Sequence, residues 1–213
     1  IYTLSLHDAL PISADGSLEA VKEIRSIAGE QCFVSGMSSV VEDIKDLTMQ
    51  EATMYVVIAV ILTSIILALT MDSFLIPLFF MLSVGMAIIY NMGTNFIQGE
   101  ISFITEALAA VLQLAVTIDY SIFLWHSYKE EKEKHPGDNK EAMAVAIGKT
   151  ITSVVSSSIT TVAGFLALCF MSYELGMDMG IVMAKGVVIG VICCITVLPS
   201  MILVFDKALE ETD

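Results

Sequence analysis

Asp119 lies in "LQLAVTIDYSIFLW" (112–125) and is the one carboxylate deep within a long apolar run of this chain. A charged side chain at that depth costs at least about 2.5–3.5 kcal/mol in a membrane. It therefore needs a partner, a proton or water. Burial disfavours the charged form of a carboxyl and a hydrogen-bond donor favours it, so such a group suits proton uptake and release. The other reading is a hydrogen bond that only fixes helix packing. Tyr120 follows at once, rotated about 100° around a helix. Its hydroxyl is set to donate to a carboxylate on a neighbouring helix. The two side chains diverge, so the pair asks for a complementary pair elsewhere, and this chain has no second Asp-Tyr dipeptide.

A second polar pattern occurs in "TSVVSSSITT" (152–161). Ser153, Ser157, Thr160 and Thr161 recur at spacings of three and four, which gives one hydroxyl face on a helix. Such a face either glues helices together or lines a hydrated proton path; Ser157 and Thr160 are its central members. Glu106 and Gln113 share a face with Tyr120 at offsets of seven. Glu106 is near the end of its run, where water can solvate it. His126 reads as an interfacial residue, with an exit relay as the alternative. Trp125 and Tyr128 read as an aromatic belt.

Other chemistries find little support. Cys32 stands alone in a polar stretch, and Cys169, Cys193 and Cys194 lie in apolar runs, where cysteine acts as a small hydrophobe. No disulfide framework, metal site or cofactor is expected. An intramembrane aspartyl protease needs two deep carboxylates, and only Asp119 is deep, so no enzyme is expected. Ten Lys and Arg against a net charge of -14 disfavour nucleic acid as a partner.

The elements that must carry these groups follow from hydropathy. Of 213 residues, 56% are hydrophobic, and the mean hydropathy is +0.80, above the soluble range. Five apolar runs cover 54–70, 74–90, 104–125, 151–171 and 180–204. Each is near the roughly 20 residues that span a bilayer as a helix. The fold class is thus an all-α membrane bundle of five helices across 51–205. Links 91–102 and 172–180 contain no Lys or Arg, whereas 127–150 contains five Lys. The positive-inside bias places 127–150 and the tail 206–213 in the cytoplasm and residues before 52 outside. Lys185, inside the fifth run, is expected to snorkel to the outer interface.

Residues 14–50 are soluble in character: a helix over 16–29, a short strand at 32–36, then a helix continuing into the first membrane run. That is too little to bury a core, so it reads as the end of a larger extracytoplasmic domain. Residues 127–150 alternate in charge around a "HPGD" turn (135–138), then show an amphipathic stripe of Met143, Ala144 and Ile147 suited to the inner membrane face. Residues 1–13, "IYTLSLHDALPIS", have no period and back-translate to a sequence resembling a short-read sequencing adapter. They are expected to be foreign to the fold.

The stretch 112–131, "LQLAVTIDYSIFLWHSYKEE", resembles the MMPL branch of the RND superfamily of proton-driven exporters. Asp119, Tyr120 and Phe123 match that family's G-x-DY-x-x-F helix, with Thr117 where Gly is usual. "SSITTVAGF" is similar to its Ser-x-x-Thr…Gly pattern through Ser157, Thr160 and Gly164. "TVLPS" (196–200) is similar to the end of a repeat's last helix. The resemblance covers about 33–208. It implies one half of a two-repeat transporter: the end of an α+β porter domain followed by five helices, with a second repeat elsewhere. It also implies a proton relay through Asp119 and Tyr120, a lipid bilayer as surroundings, and a hydrophobic or lipid-like substrate. A bacterial cytoplasmic membrane is the implied location. Non-exporting relatives of the superfamily, sterol-sensing or SecD/SecF-like, are the alternative.

Overall fold

The computed structural model describes residues 15–28, 34–71, 75–97, 101–172 and 174–205. Residues 1–13, the tail 206–213, and Cys32 and Phe33 of the expected strand lie outside these. Among the described residues all regular structure is helical. Val34 and Ser35 are not in a strand.

Among the described residues there are six α-helices: α1 (Asp15–Ala28), α2 (Met37–Thr70), α3 (Leu75–Thr94), α4 (Phe103–Lys134), α5 (Asn139–Leu168) and α6 (Glu174–Val204). A 3₁₀ turn, Asn95–Ile97, follows α3. Helices α2 to α6 are long and apolar enough to cross a membrane. The chain divides into two compact units, Ile1–Met54 and Tyr55–Asp213.

In the first unit, Arg25 grips the start of α2. Its Nη1 and Nη2 donate to the two carboxylate oxygens of Asp43 at 2.6 and 2.9 Å, and Nη2 also donates to Ser39 Oγ at 2.6 Å. Lys22 sits 2.8 Å from Glu42 and 3.4 Å from Asp46. Hydrogen bonds to Glu42 and Asp46 hold its ammonium above the ordinary lysine value. The expected apolar stripe of α1 is mostly uncovered: Leu18 is buried, but Ile24 and Ile27 are exposed, as are Val40, Ile44 and Leu47 of α2.

In the second unit, α6 packs on α3, α4 and α5, and α4 also packs on α3 and α5. Lipid tails are as apolar as leucine, so helices associate in a membrane through close packing more than through hydrophobic burial. Small residues on α6 provide it. An added Cβ at Gly180 would lie 2.7 Å from Phe165 O on α5, and one at Gly190 would lie 2.5 Å from Thr117 Oγ1 on α4. Thr117 is fully buried in this notch. The glycine that permits close approach stands on α6, across the interface from the position where the resemblance expects one. Pro77 occupies the first turn of α3, where its missing N–H has no intrahelical partner to lose. Pro199 lies inside α6 and leaves the Ile195 carbonyl without its helical donor.

The 127–150 segment turns where expected, at 135–138: α4 continues to Lys134 and α5 starts at Asn139. Gly137 takes φ +91°, which its lack of a Cβ permits. Asp138 then caps α5 by accepting from Glu141 N at 3.0 Å. Of the expected stripe, Met143 belongs to the same apolar cluster as Trp125 and Tyr128 and Ile147 packs against it, whereas Ala144 is exposed. The two larger members thus pack into the protein, not onto a membrane face. Trp125 and Tyr128 are likewise buried, with ring centroids 5.7 Å apart, and do not form an outward belt.

Candidate functional site

Asp119 lies mid-way along α4, on the face turned away from the bundle core. Leu108, Leu112, Ala115, Phe123 and His126 are exposed on that same face, at spacings of three and four. The opposite face, Gln113, Thr117, Ser121 and Leu124, is buried. The Asp119 side chain makes no hydrogen bond or ion pair among the described residues. Tyr120 turns the other way. It is 8% exposed and belongs to the central apolar cluster, and its hydroxyl has no carboxylate partner among the described residues.

The hydroxyl face of α5 is also outward. Ser153, Ser157 and Thr160 are exposed, and Thr161 is half-buried. Thr160 Oγ1 donates to Ser156 O at 3.2 Å and Thr161 Oγ1 to Ser157 O at 3.0 Å, bonds within the helix itself. Only Ser158 of this run points inward, donating to Val154 O at 2.6 Å.

The relative level of the two faces is set at the α4–α5 turn. Helices α4 and α5 are consecutive and joined by the tight 135–138 turn. Lys149 Nζ reaches Glu131 Oε1 at 2.6 Å across them. Glu131 is buried and is also held by Lys134 Nζ at 2.9 Å. Counting along two antiparallel helices, the turn sets Asp119 opposite Val154 and the Glu131–Lys149 pair sets it opposite Thr161. Ser157 and Thr160 fall between these limits. By this count the level of Asp119 lies within about two helical turns of Ser157 and Thr160, and all three are exposed, without hydrogen bonds between them.

Other candidates are placed as follows. Glu106 and His126 are exposed. Lys185 is half-buried, and its Nζ reaches toward the end of α3 to donate to Asn95 Oδ1. Cys193 and Cys194 are buried free thiols. Among the described residues, no group of three or more His, Cys, Asp or Glu could hold a metal ion. Sequence reading missed the buried polar residues Asn91 and Thr117 and the partner of Gln113. The signal available was the four-residue spacing of Gln113, Thr117 and Ser121, repeated by Gly186 and Gly190.

Residues 11–211 match the MMPL family. The chain belongs to the MMPL family. It is 26% identical over 204 residues to the membrane protein ActII-3 of Streptomyces coelicolor, covering 91% of this chain and 29% of that protein. It is 28% identical over 205 residues to the transport protein MmpL9 of Mycobacterium tuberculosis (91% and 21% covered). It is 29% identical over 213 residues to the siderophore exporter MmpL5 of the same species (92% and 22% covered). This MMPL-family chain thus spans less than a third of each of these relatives. With five helices fit to cross a bilayer, it is a multi-pass membrane protein.

Proposed function

We propose that these helices form one membrane half of a proton-driven RND-type exporter of hydrophobic or lipid-like molecules, with Asp119 carrying the proton. The observation that carries this reading is the outward setting of Asp119 within about two helical turns of the level of the α5 hydroxyl face. A carboxylate left against lipid there would cost at least about 2.5–3.5 kcal/mol. A second helical repeat laid on this face removes that cost by bringing a donor and water to Asp119. Ser157 and Thr160 then line the route by which protons reach it. Tyr120 supports α4 from the core side and adjusts Asp119 through the setting of that helix. The uncovered stripes of α1 and early α2 fit the end of a larger extracytoplasmic porter domain. Lys-rich 127–150 fits the cytoplasmic side of a bacterial membrane.

The test is export by the full-length protein in cells or vesicles with an imposed pH gradient. Asp119→Asn keeps size and much of the hydrogen bonding but cannot titrate. Normal membrane insertion with loss of export supports the reading. Normal export would favour a non-exporting, sterol-sensing or SecD/SecF-like ancestry for this half, in which Asp119 only packs helices.

A further inference from the structure

On the side of α4 away from Asp119, Thr105, Ala109, Gln113, Thr117 and Ser121 recur every four residues, and all are buried. Helix α6 faces them with Gly186 and Gly190, and α3 contributes Asn91, which is fully buried. Asn91 Nδ2 donates to Gln113 Oε1 at 2.9 Å. That bond uses half of each amide. Asn91 Oδ1 and Gln113 Nε2 are left buried without a partner. A buried amide group without a partner is strongly disfavoured in hydrocarbon, where no solvent can replace the lost bond.

Between these atoms is a cavity of about 10 Å³, lined by Asn91, Gln113, Ala109, Phe165, Met183 and Gly186. Gly186 keeps it open: a Cβ there would lie 2.7 Å from Asn91 Nδ2 and 3.3 Å from Gln113 Oε1. The volume is near the minimum that admits one water molecule. The polar partners are one acceptor and one donor, which suits water and not a cation, because a cation needs several oxygens and would be repelled by the Gln113 amide hydrogens. If both amides are turned over, they still bond to one another and again present one donor and one acceptor, so the match does not depend on their assignment.

We propose that Asn91, Gln113 and the Gly186 notch form a binding site for one ordered water molecule. The water donates to Asn91 Oδ1 and accepts from Gln113 Nε2, tying α3 to α4 beside the Gly186 notch of α6 within the membrane. By holding Gln113 inward, the site sets the rotation of α4. It is not on the Asp119 route and does not depend on that route.

Radiolytic hydroxyl-radical labelling reads such waters, because radicals formed from a bound water oxidise the side chains beside it. The full-length protein in lipid nanodiscs is irradiated and its methionines are mapped by mass spectrometry. Met183 lines the cavity and is 4% exposed, whereas Met177 is exposed and serves as the reference. The expected result is rapid Met183 oxidation despite burial. In Asn91→Leu/Gln113→Leu, which replaces both amides by apolar groups, it falls several-fold relative to Met177. Gly186→Ala, which fills the cavity from α6, gives the same loss if the double variant does not fold. Wild-type Met183 that stays unlabelled while Met177 is oxidised overturns the proposal. So does Met183 labelling that persists in the variants, since it would then come from bulk water.

Discussion

Asp119 and Tyr120 are neighbours in sequence but point to opposite sides of α4, and their substitutions should differ for that reason. Tyr120→Phe removes a hydroxyl from a buried ring that makes no hydrogen bond among the described residues. It keeps the volume, so it should cost less than about 1.5 kcal/mol of stability and only weaken export. Glu106→Gln changes a carboxylate that is exposed in the first turn of the same helix. Export in that variant should stay close to wild type when assayed beside Asp119→Asn, and a large loss would undo the special place given to Asp119. Asp119 was legible in the sequence because a charge in an apolar run stands out. Gln113 and Asn91 were not paired there, because an uncharged amide gives no such contrast and its partner is 22 residues away. The acceptor that Lys185 reaches, Asn95, was not legible either, since it is 90 residues away.

At the scale of elements, the seam between α4 and α6 depends on a side chain meeting a missing one. Gly190→Ala would press a methyl toward Thr117 Oγ1 and should destabilise the bundle by about 1–3 kcal/mol. Thr117→Ala removes the oxygen it meets. The double variant should therefore recover much of the loss in thermal unfolding of the detergent-solubilised protein, and strictly additive effects would contradict this contact. Five spanning helices were legible as apolar runs because a bilayer demands about 20 apolar residues at a stretch. How far α4 and α5 run beyond them was not. Polar helix formers extend α4 and α5 past the apolar core, and the inward stripe of Met143 and Ile147 looks the same in sequence whether it meets lipid or protein. The strand expected at 32–36 rested on three apolar residues, Cys32, Phe33 and Val34, of which only Val34 is among the described residues.

For the whole molecule, the positive-inside pattern predicts an orientation. In a full-length protein with its native cysteines replaced, a membrane-impermeant thiol reagent should label Phe96→Cys from outside and spare Lys140→Cys until the membrane is opened. Both positions are exposed. Labelling in the reverse order would invert the topology. The uncovered face carrying Asp119 is also a whole-molecule feature: nothing in the described residues covers it, although a carboxylate in hydrocarbon requires a cover. The MMPL relatives are more than three times as long as the matched part. Their additional length leaves room for a second repeat to provide it.

The most direct measurement is proton flux and export together, in proteoliposomes holding the full-length protein as wild type or Asp119→Asn. The account predicts that the variant inserts and melts like wild type, yet moves neither protons nor substrate under an imposed pH gradient. Substrate export driven by that gradient at wild-type rate in Asp119→Asn would contradict it.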